Sequence, residues 1–535
     1  MQQKISLKLL PSQVATDEAF IESIAKATGN KPSEVTGYHI LKKSIDARAK
    51  IIWINFIVNV FINEPFHKRA LQEFDFPDVS RAVKKVVIIG GGPAGIFAAL
   101  QLIEQGVKPV ILERGKEVRA RRRDLAALNR EGIINSESNY CFGEGGAGTY
   151  SDGKLYTRST KRGDVNRILN LFVHFGADEN ILYDAHPHIG TNKLPEIVTS
   201  MRKRILDCGG EFHFEKKVSD FVIDKNEIKE VITSDGDSYP GDFFILATGH
   251  SARDIFTLLN KKNIEISAKG FALGVRIEHP QELINSIQYG SNNPAENLLP
   301  PASYSLVEQV EGRGVFSFCM CPGGIIAPAS TNEDELVVNG WSPSKRNNPY
   351  ANSGIVVQVE KDDVIKYYLQ CKKSAADFSS PLLMMNFQKE VEAKSFSAGG
   401  GNFVAPAQRM VDFTEDKFSG SLPGCSYLPG IQSALLKDVL PGFINNKLKT
   451  ALKSFGKKMP ARNKLTNYFT NEAVLVATES RTSSPVRIPR DEVFLNHPQI
   501  KNLFPCGEGA GYAGGIVSAA MDGERVAMAI IVNRK

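Results

Sequence analysis

Lys84-Lys85-Val86-Val87-Ile88-Ile89-Gly90-Gly91-Gly92-Pro93-Ala94-Gly95 runs a short apolar strand straight into G-x-G-x-x-G, and an Ala- and Leu-rich helical pattern follows from Pro93 to about Gln105. In such a turn Gly90 permits the tight reversal, Gly92 lets the backbone approach a pyrophosphate, and Gly95 lets the helix pack close to its strand. The phosphates then meet free N–H groups and the positive end of the helix dipole, next to Ala94. Pro93 suits the first helical turn, where its missing N–H has no intrahelical partner to lose. A second strand, Lys108-Pro109-Val110-Ile111-Leu112-Glu113, ends in a carboxylate. It lies about 20 residues on, the spacing of an acid that accepts from a ribose hydroxyl. Strand, turn, helix, strand and terminal Glu in this order predict a dinucleotide site.

Two further segments repeat the strand-to-glycine-turn pattern. Asp242-Phe243-Phe244-Ile245-Leu246-Ala247-Thr248-Gly249 is one. The other lies near the end of the chain, where Asn502-Leu503-Phe504-Pro505-Cys506 leads into Gly507-Glu508-Gly509-Ala510-Gly511-Tyr512-Ala513-Gly514-Gly515-Ile516 and an Ala-rich helix over Val517–Ile531. A helix N-terminus with so little side-chain bulk around Gly514, Gly515 and Ile516 could approach an aromatic ring system and its sugar chain. Three such units so far apart predict one dinucleotide domain interrupted by insertions.

Here the sequence resembles known flavoproteins. The first unit resembles the FAD-binding half of the glutathione-reductase-type fold. Ala247-Thr248-Gly249 resembles its A-T-G strand motif, and Cys506-Gly507-Glu508 resembles its late G-D motif with Glu in place of Asp. The whole chain more closely resembles a bacterial group of FAD-dependent dehydrogenases, or oxidoreductases, defined by a flavin site rather than by a substrate. The stretches that carry this are Phe142–Leu155, His186–Thr191, Gly274–Pro280, Arg481–Arg487 and Cys506–Gly523. The resemblance implies bound FAD.

It also assigns candidates. The Gly-rich loop 143–153 would cradle the flavin with Gly145, Gly146, Ala147 and Gly148, and Thr149 and Ser151 would be donors; glycines there permit positive φ and expose amides. Asp152 and Lys154 are equally readable as chemical residues or as a structural pair. In similar flavoproteins an Arg after the ribose-binding Glu reaches the adenine or pyrophosphate. That makes Arg114, Arg119, Arg121, Arg122 and Arg123 candidates, of which Arg114 and Arg122 are taken forward. Among the histidines, His250 stands out because it follows the A-T-G turn.

Composition agrees. With 535 residues, 42% hydrophobic and 23% charged, the chain can bury several cores. A net charge of +6 is mild for this length and gives no strong case for nucleic acid or an anionic membrane. The cysteines (141, 208, 319, 321, 371, 425, 506) form neither C-x-x-C nor a metal pattern, and the C-x4-C of flavin disulfide reductases is missing after Gly95. An odd count without an apolar leader in Met1–Leu10 reads as reduced cytoplasmic thiols. The most apolar run, Ile51–Ile62, is broken by Asn55 and Asn59 and is well short of the roughly 20 residues of a membrane span.

The expected architecture is α/β: a Rossmann-like FAD-binding domain, with parallel sheet and β-meander, interrupted by a large α+β substrate domain and preceded by a small α+β unit. Residues 1–80 form that unit as strand (4–10), helix (16–28), strand (34–46) and strand (50–62), with a Lys- and Arg-rich hairpin end read as solvated. Residues 81–258 hold the FAD domain, of which 159–194 are assignable to either domain. Residues 259–484 form the substrate or cap domain, and 485–535 complete the FAD domain. The meander is expected over Asp224–Ile245. No second strand–G-x-G-x-x-G–helix unit exists, so NAD(P)H, if an electron donor, would bind only transiently.

The expected activity is hydride transfer through FAD to or from a small-molecule substrate. Competing readings are a flavin-dependent hydroxylase, suggested by Ser251-Ala252-Arg253; a tRNA-modifying flavoprotein using the Arg run and the basic stretch 447–463; and a non-catalytic redox sensor or scaffold. No membrane partner is expected, and the sequence leaves oligomeric state open.

Overall fold

The computed structural model describes residues 1–157, 163–290, 296–373, 376–459 and 467–532. The N-terminal unit is an antiparallel sheet of β1 (Gln2–Leu9), β2 (Val35–Asp46) and β3 (Trp53–Ile62), with β3 in the centre. Its single helix, α1 (Asp17–Thr28), starts where the Thr16 hydroxyl accepts from Ala19 N and stops at Gly29 with φ 74°. Phe20 and Ile24 of α1 pack on the alternating inward residues Ile54, Phe56 and Val58 of β3. At the hairpin end Lys42 and Arg48 are exposed, and Arg48 pairs with Asp46. The unit is tied down by backbone bonds between Lys43 and the segment Tyr183–Ala185.

The second domain is a five-stranded parallel sheet. From β4 (Lys85–Ile89) the neighbours are β5 (Lys108–Leu112) then β6 (Glu211–His213) on one side, and β10 (Phe243–Leu246) then Leu503–Pro505 on the other. Beyond their first residues β4, β5 and β10 are apolar and buried because both faces are covered. On one face α2 (Pro93–Glu104) packs along the C-terminal helix Ile516–Val532. At their crossing a Cβ on Gly523 would lie 2.1 Å from Ala94 O, so the backbones touch. α4 (Val165–His174) and α5 (Leu194–Asp207) join the same core through Ile168, Phe172, Ile197 and Met201.

The meander is β7 (Val218–Asp224), β8 (Glu227–Thr233) and β9 (Ser238–Pro240). It begins earlier than the sequence pattern suggests. Its expected last strand instead enters the central sheet, because Phe244, Ile245 and Leu246 are buried on both faces.

The large insertion carries a seven-stranded sheet centred on Phe271–Pro280, which runs antiparallel between Tyr350–Val359 and Val474–Glu479. Helices Leu383–Ala398 and Gly442–Lys458 share its apolar core. The second contains most of the basic stretch 447–463; residues 460–463 lie outside the described residues.

Candidate functional site: a cleft between the nucleotide fold and its insertion

The β4–α2 turn is held by contacts that only glycine allows. Gly90 has φ 111°, and a Cβ there would lie 2.4 Å from Ala247 O. A Cβ on Gly95 would lie 2.0 Å from Gly90 O, so Gly95 is the helix-packing residue and sits under the turn. Next to them Glu113 is buried and fastens three loops at once. One carboxylate oxygen accepts from Gly91 N at 2.8 Å; the other accepts from Gly115 N at 2.8 Å and Gly143 N at 2.9 Å. Gly145 N closes the same junction on Gly91 O at 2.8 Å.

The Gly-rich loop is fixed from below by Arg121. Its guanidinium is fully buried and donates to the carbonyls of Asn139, Tyr140 and Glu144 at 2.8–3.0 Å. The Thr149 hydroxyl also donates to Glu144 O, and Ser151 Oγ donates to Gly148 O. The Glu144 carboxylate accepts from Val118 N and Arg202 Nε, each at 2.8 Å. Burial nonetheless pushes its carboxyl above the ordinary range.

These turns converge on one cleft of about 380 Å³. Gly90, Gly92, Pro93 and Ala94 line it from the first turn, and Glu113 and Arg114 from the end of β5. Gly146, Ala147, Gly148 and Ser151 line it from the loop, and Ala247, Thr248 and Gly249 from the end of β10. Glu508, Gly514, Gly515 and Ile516 line it from the tail. Cβ atoms built on Gly514 or Gly515 would meet nothing within 4 Å, so the space beside them is open. A slot bounded by a helix N-terminus, bare amides and glycines fits a dinucleotide.

Five expected residues do not line the cleft. Gly95 and Gly145 are buried beneath the turns, and Thr149 is consumed by its bond to Glu144 O. Gly507 is buried with φ 73°, its N–H given to Asp522 at 2.7 Å. Arg122 lies on the exposed face of α3 (Val118–Glu131). Arg114 does line the cleft, but its guanidinium is held by Glu137 and Asp254 and lies 4.1 Å over the Phe142 ring. Lys216 and Lys217 line the same region.

The opposite wall comes from the insertion: Phe318, Cys319, Cys321, Asn339, Arg481 and Thr482. Behind it, Arg253 at the start of α6 (Arg253–Lys261) and Arg481 share Glu335 and Glu392 in a buried cluster with N–O distances of 2.7–3.1 Å. Burial works against the Glu392 charge, but the two arginines outweigh it and hold the carboxyl below its ordinary range. The cluster joins α6 of the nucleotide domain to the insertion. Asp152 and Lys154 pair at 3.1 Å, and both line the cleft. His250 Nδ1 lies 3.4 Å from Glu508 on the nucleotide side.

Comparison with known proteins agrees with this geometry. A family described as "FAD binding domain" matches residues 84–135, and one described as "FAD-dependent protein, C-terminal domain-like" matches 270–482. A domain of unknown function matches 1–61. The fold and the cleft thus define a flavoprotein, with FAD as the supported cofactor. An uncharacterized protein of Clostridium beijerinckii is 39% identical over 530 residues, covering 95% of each chain. The chain belongs to the same family as that protein, a family of FAD-dependent proteins.

Among solved structures, the flavin-dependent brominase Bmp2 is 14% identical, with a TM-score of 0.35 over 84% of this chain and 79% of its own. Glycine oxidase from Bacillus cereus is 13% identical, with a TM-score of 0.29 over 84% and 96%. No helix among the described residues is long and apolar enough to cross a membrane.

Proposed function

We propose that this protein is an FAD-dependent oxidoreductase that passes a hydride between a small-molecule substrate and a second redox partner, with NAD(P)H as a transient donor. The observation that carries the reading is the composite cleft. One wall is the glycine turns of a dinucleotide fold, and the facing wall belongs to a separate domain with its own charged side chains. In this reading the α2 N-terminus, with Gly90 and Gly92, takes the pyrophosphate. Glu113 lies at the ribose, the loop 146–151 runs along the cofactor, and the amides at Gly514–Ile516 face the flavin ring. FAD, when bound, supplies two-electron chemistry; the chain's own part is to position it, exclude water and hold charge.

The hydroxylase reading rests on Ser251-Ala252-Arg253, but Arg253 is occupied by Glu335 and Glu392. The tRNA reading rests on the Arg run 114–123 and the basic stretch 447–463; Arg114 and Arg121 are engaged within the fold, and Lys447, Lys449 and Lys458 are paired with Glu311, Asp416 and Glu308. The oxidoreductase reading is therefore preferred. Its test is anaerobic titration of the purified yellow protein with NADPH and NADH, followed by oxidised small-molecule acceptors. Bleaching of the flavin and its recovery by an acceptor supports it. Oxygen uptake matched by a hydroxylated product would replace it with the hydroxylase reading. A flavin that only dithionite reduces would indicate a sensor.

A further inference from the structure

Where the end of the Gly-rich loop meets the insertion, the cleft carries an uneven charge. Lys154, with 37% of its side chain exposed, lines the cleft, and its ammonium lies 3.1 Å from Asp152 Oδ2. The same oxygen is 3.1 Å from Arg346 Nη2, so two cations share one carboxylate. Behind them Arg276 is fully buried and balanced by Glu479 at 3.0 Å. His188, the remaining titratable ring facing Asp152, is held below its ordinary range by burial and Arg346. Cys321 Sγ accepts from Lys154 at 3.7 Å and from Arg276 at 3.5 Å, and lies 3.2 Å from Cys319 O. By formal charge Lys154, Arg346 and Arg276 stand against Asp152 and Glu479, one positive charge in excess. Only Lys154 offers it to the cleft.

The lining beside this charge describes the rest of a complement. Tyr156 and Phe318, beside Lys154 and Cys319 in sequence, add aromatic surface to the same lining. We propose that Lys154 is the anchor for the substrate's anionic group, and that the substrate class is a small monoanion with an apolar body, such as an aromatic or aliphatic carboxylate. This rests on the flavoprotein reading and names the substrate side of the same cleft. A charge-assisted hydrogen bond in a partly desolvated slot favours a carboxylate over its neutral amide. The ammonium also survives in the slot: burial works against it, but the Cys321 sulfur and the Asp152 carboxylate raise its pKa overall.

The probe is benzoate, titrated calorimetrically into the FAD-loaded protein at neutral pH, with benzamide as its neutral counterpart. Saturable benzoate binding is expected, with benzamide about tenfold or more weaker. Lys154→Met should remove that preference, and Lys154→Arg should restore it. FAD content is measured in each sample. If benzoate and benzamide bind alike, if benzoate does not saturate, or if Lys154→Met keeps the preference, the inference is overturned while the cofactor reading stands. A wild-type protein that takes up no FAD overturns the cofactor reading instead.

Discussion

The nucleotide wall of the cleft is rich in bare backbone: glycines at 90, 92, 146, 148, 514 and 515, and amides gathered by one carboxylate, Glu113, with the side chains of Arg114, Lys216 and Lys217 beside them. On the insertion wall the surface is side chains, and behind it Arg253, Arg276 and Arg481 are paired with buried glutamates. A backbone wall recognises what all dinucleotides share, and a side-chain wall can be changed one residue at a time. On the proposed function, the comparison teaches that cofactor and substrate would be recognised by physically different means on the two sides of one slot.

The largest expected effect is on the insertion side. Arg481→Met leaves Glu335 and Glu392 with only Arg253, and breaking a buried ion cluster in this way costs about 3–5 kcal/mol. Urea unfolding measures it. A loss under about 1 kcal/mol would mean that water already reaches the cluster and that the wall is not set by it.

Glu113→Ala tests the other side. Removing the carboxylate strands three buried amides, so the cofactor-free protein should lose roughly 3 kcal/mol, with FAD affinity falling as well. Thermal unfolding of the apoprotein checks this. Unchanged apoprotein stability with weakened FAD would make Glu113 a cofactor ligand alone rather than the fastener of the loops.

Next comes pH. Burial pushes the Glu278 carboxyl up to about 7, against hydrogen bonds from Ser426, so the folded state prefers it protonated. A raised acid contributes stability that is fully present below about pH 4.5 and is lost as pH rises through 7, worth about 3 kcal/mol in all. Glu278→Gln should flatten that decline in a pH series of denaturant midpoints. An identical slope in the variant would refute the assignment.

The strand and turn skeleton of the nucleotide wall was legible in the sequence because its causes are local. Doubly covered parallel strands read as apolar runs, and a turn with φ 111° at Gly90 requires glycine. Helical spacing on α3 separates its arginines, and Arg122 falls on the exposed face. Arg121 shares a face with Val118, Leu125 and Leu128, and it is the buried arginine. The meander edge slipped because Phe243–Leu246 alternates too weakly to separate a half-covered strand from a central one. Asp152 and Lys154 were legible as a candidate chemical or structural pair, but the contacts that join them and α6 to the insertion were not. Lys154 meets Cys321, and Arg253 meets Glu392, across long stretches of chain with no local pattern.

The smallest effect on folding is expected from Gly514→Val. Its Cβ meets no protein atom within 4 Å, so apoprotein stability should stay within about 0.5 kcal/mol while FAD is lost or loosely held. Gly95→Val, with a Cβ 2.0 Å from Gly90 O, should instead destabilise the fold by about 3 kcal/mol. Wild-type FAD affinity in Gly514→Val would place the tail turn away from the cofactor.

The most direct test of the whole account is the identity of what the protein carries. The purified chain, denatured and its supernatant resolved by chromatography, should release near-stoichiometric, noncovalent FAD. Release of NAD or FMN instead, or failure to take up FAD on reconstitution, would contradict it.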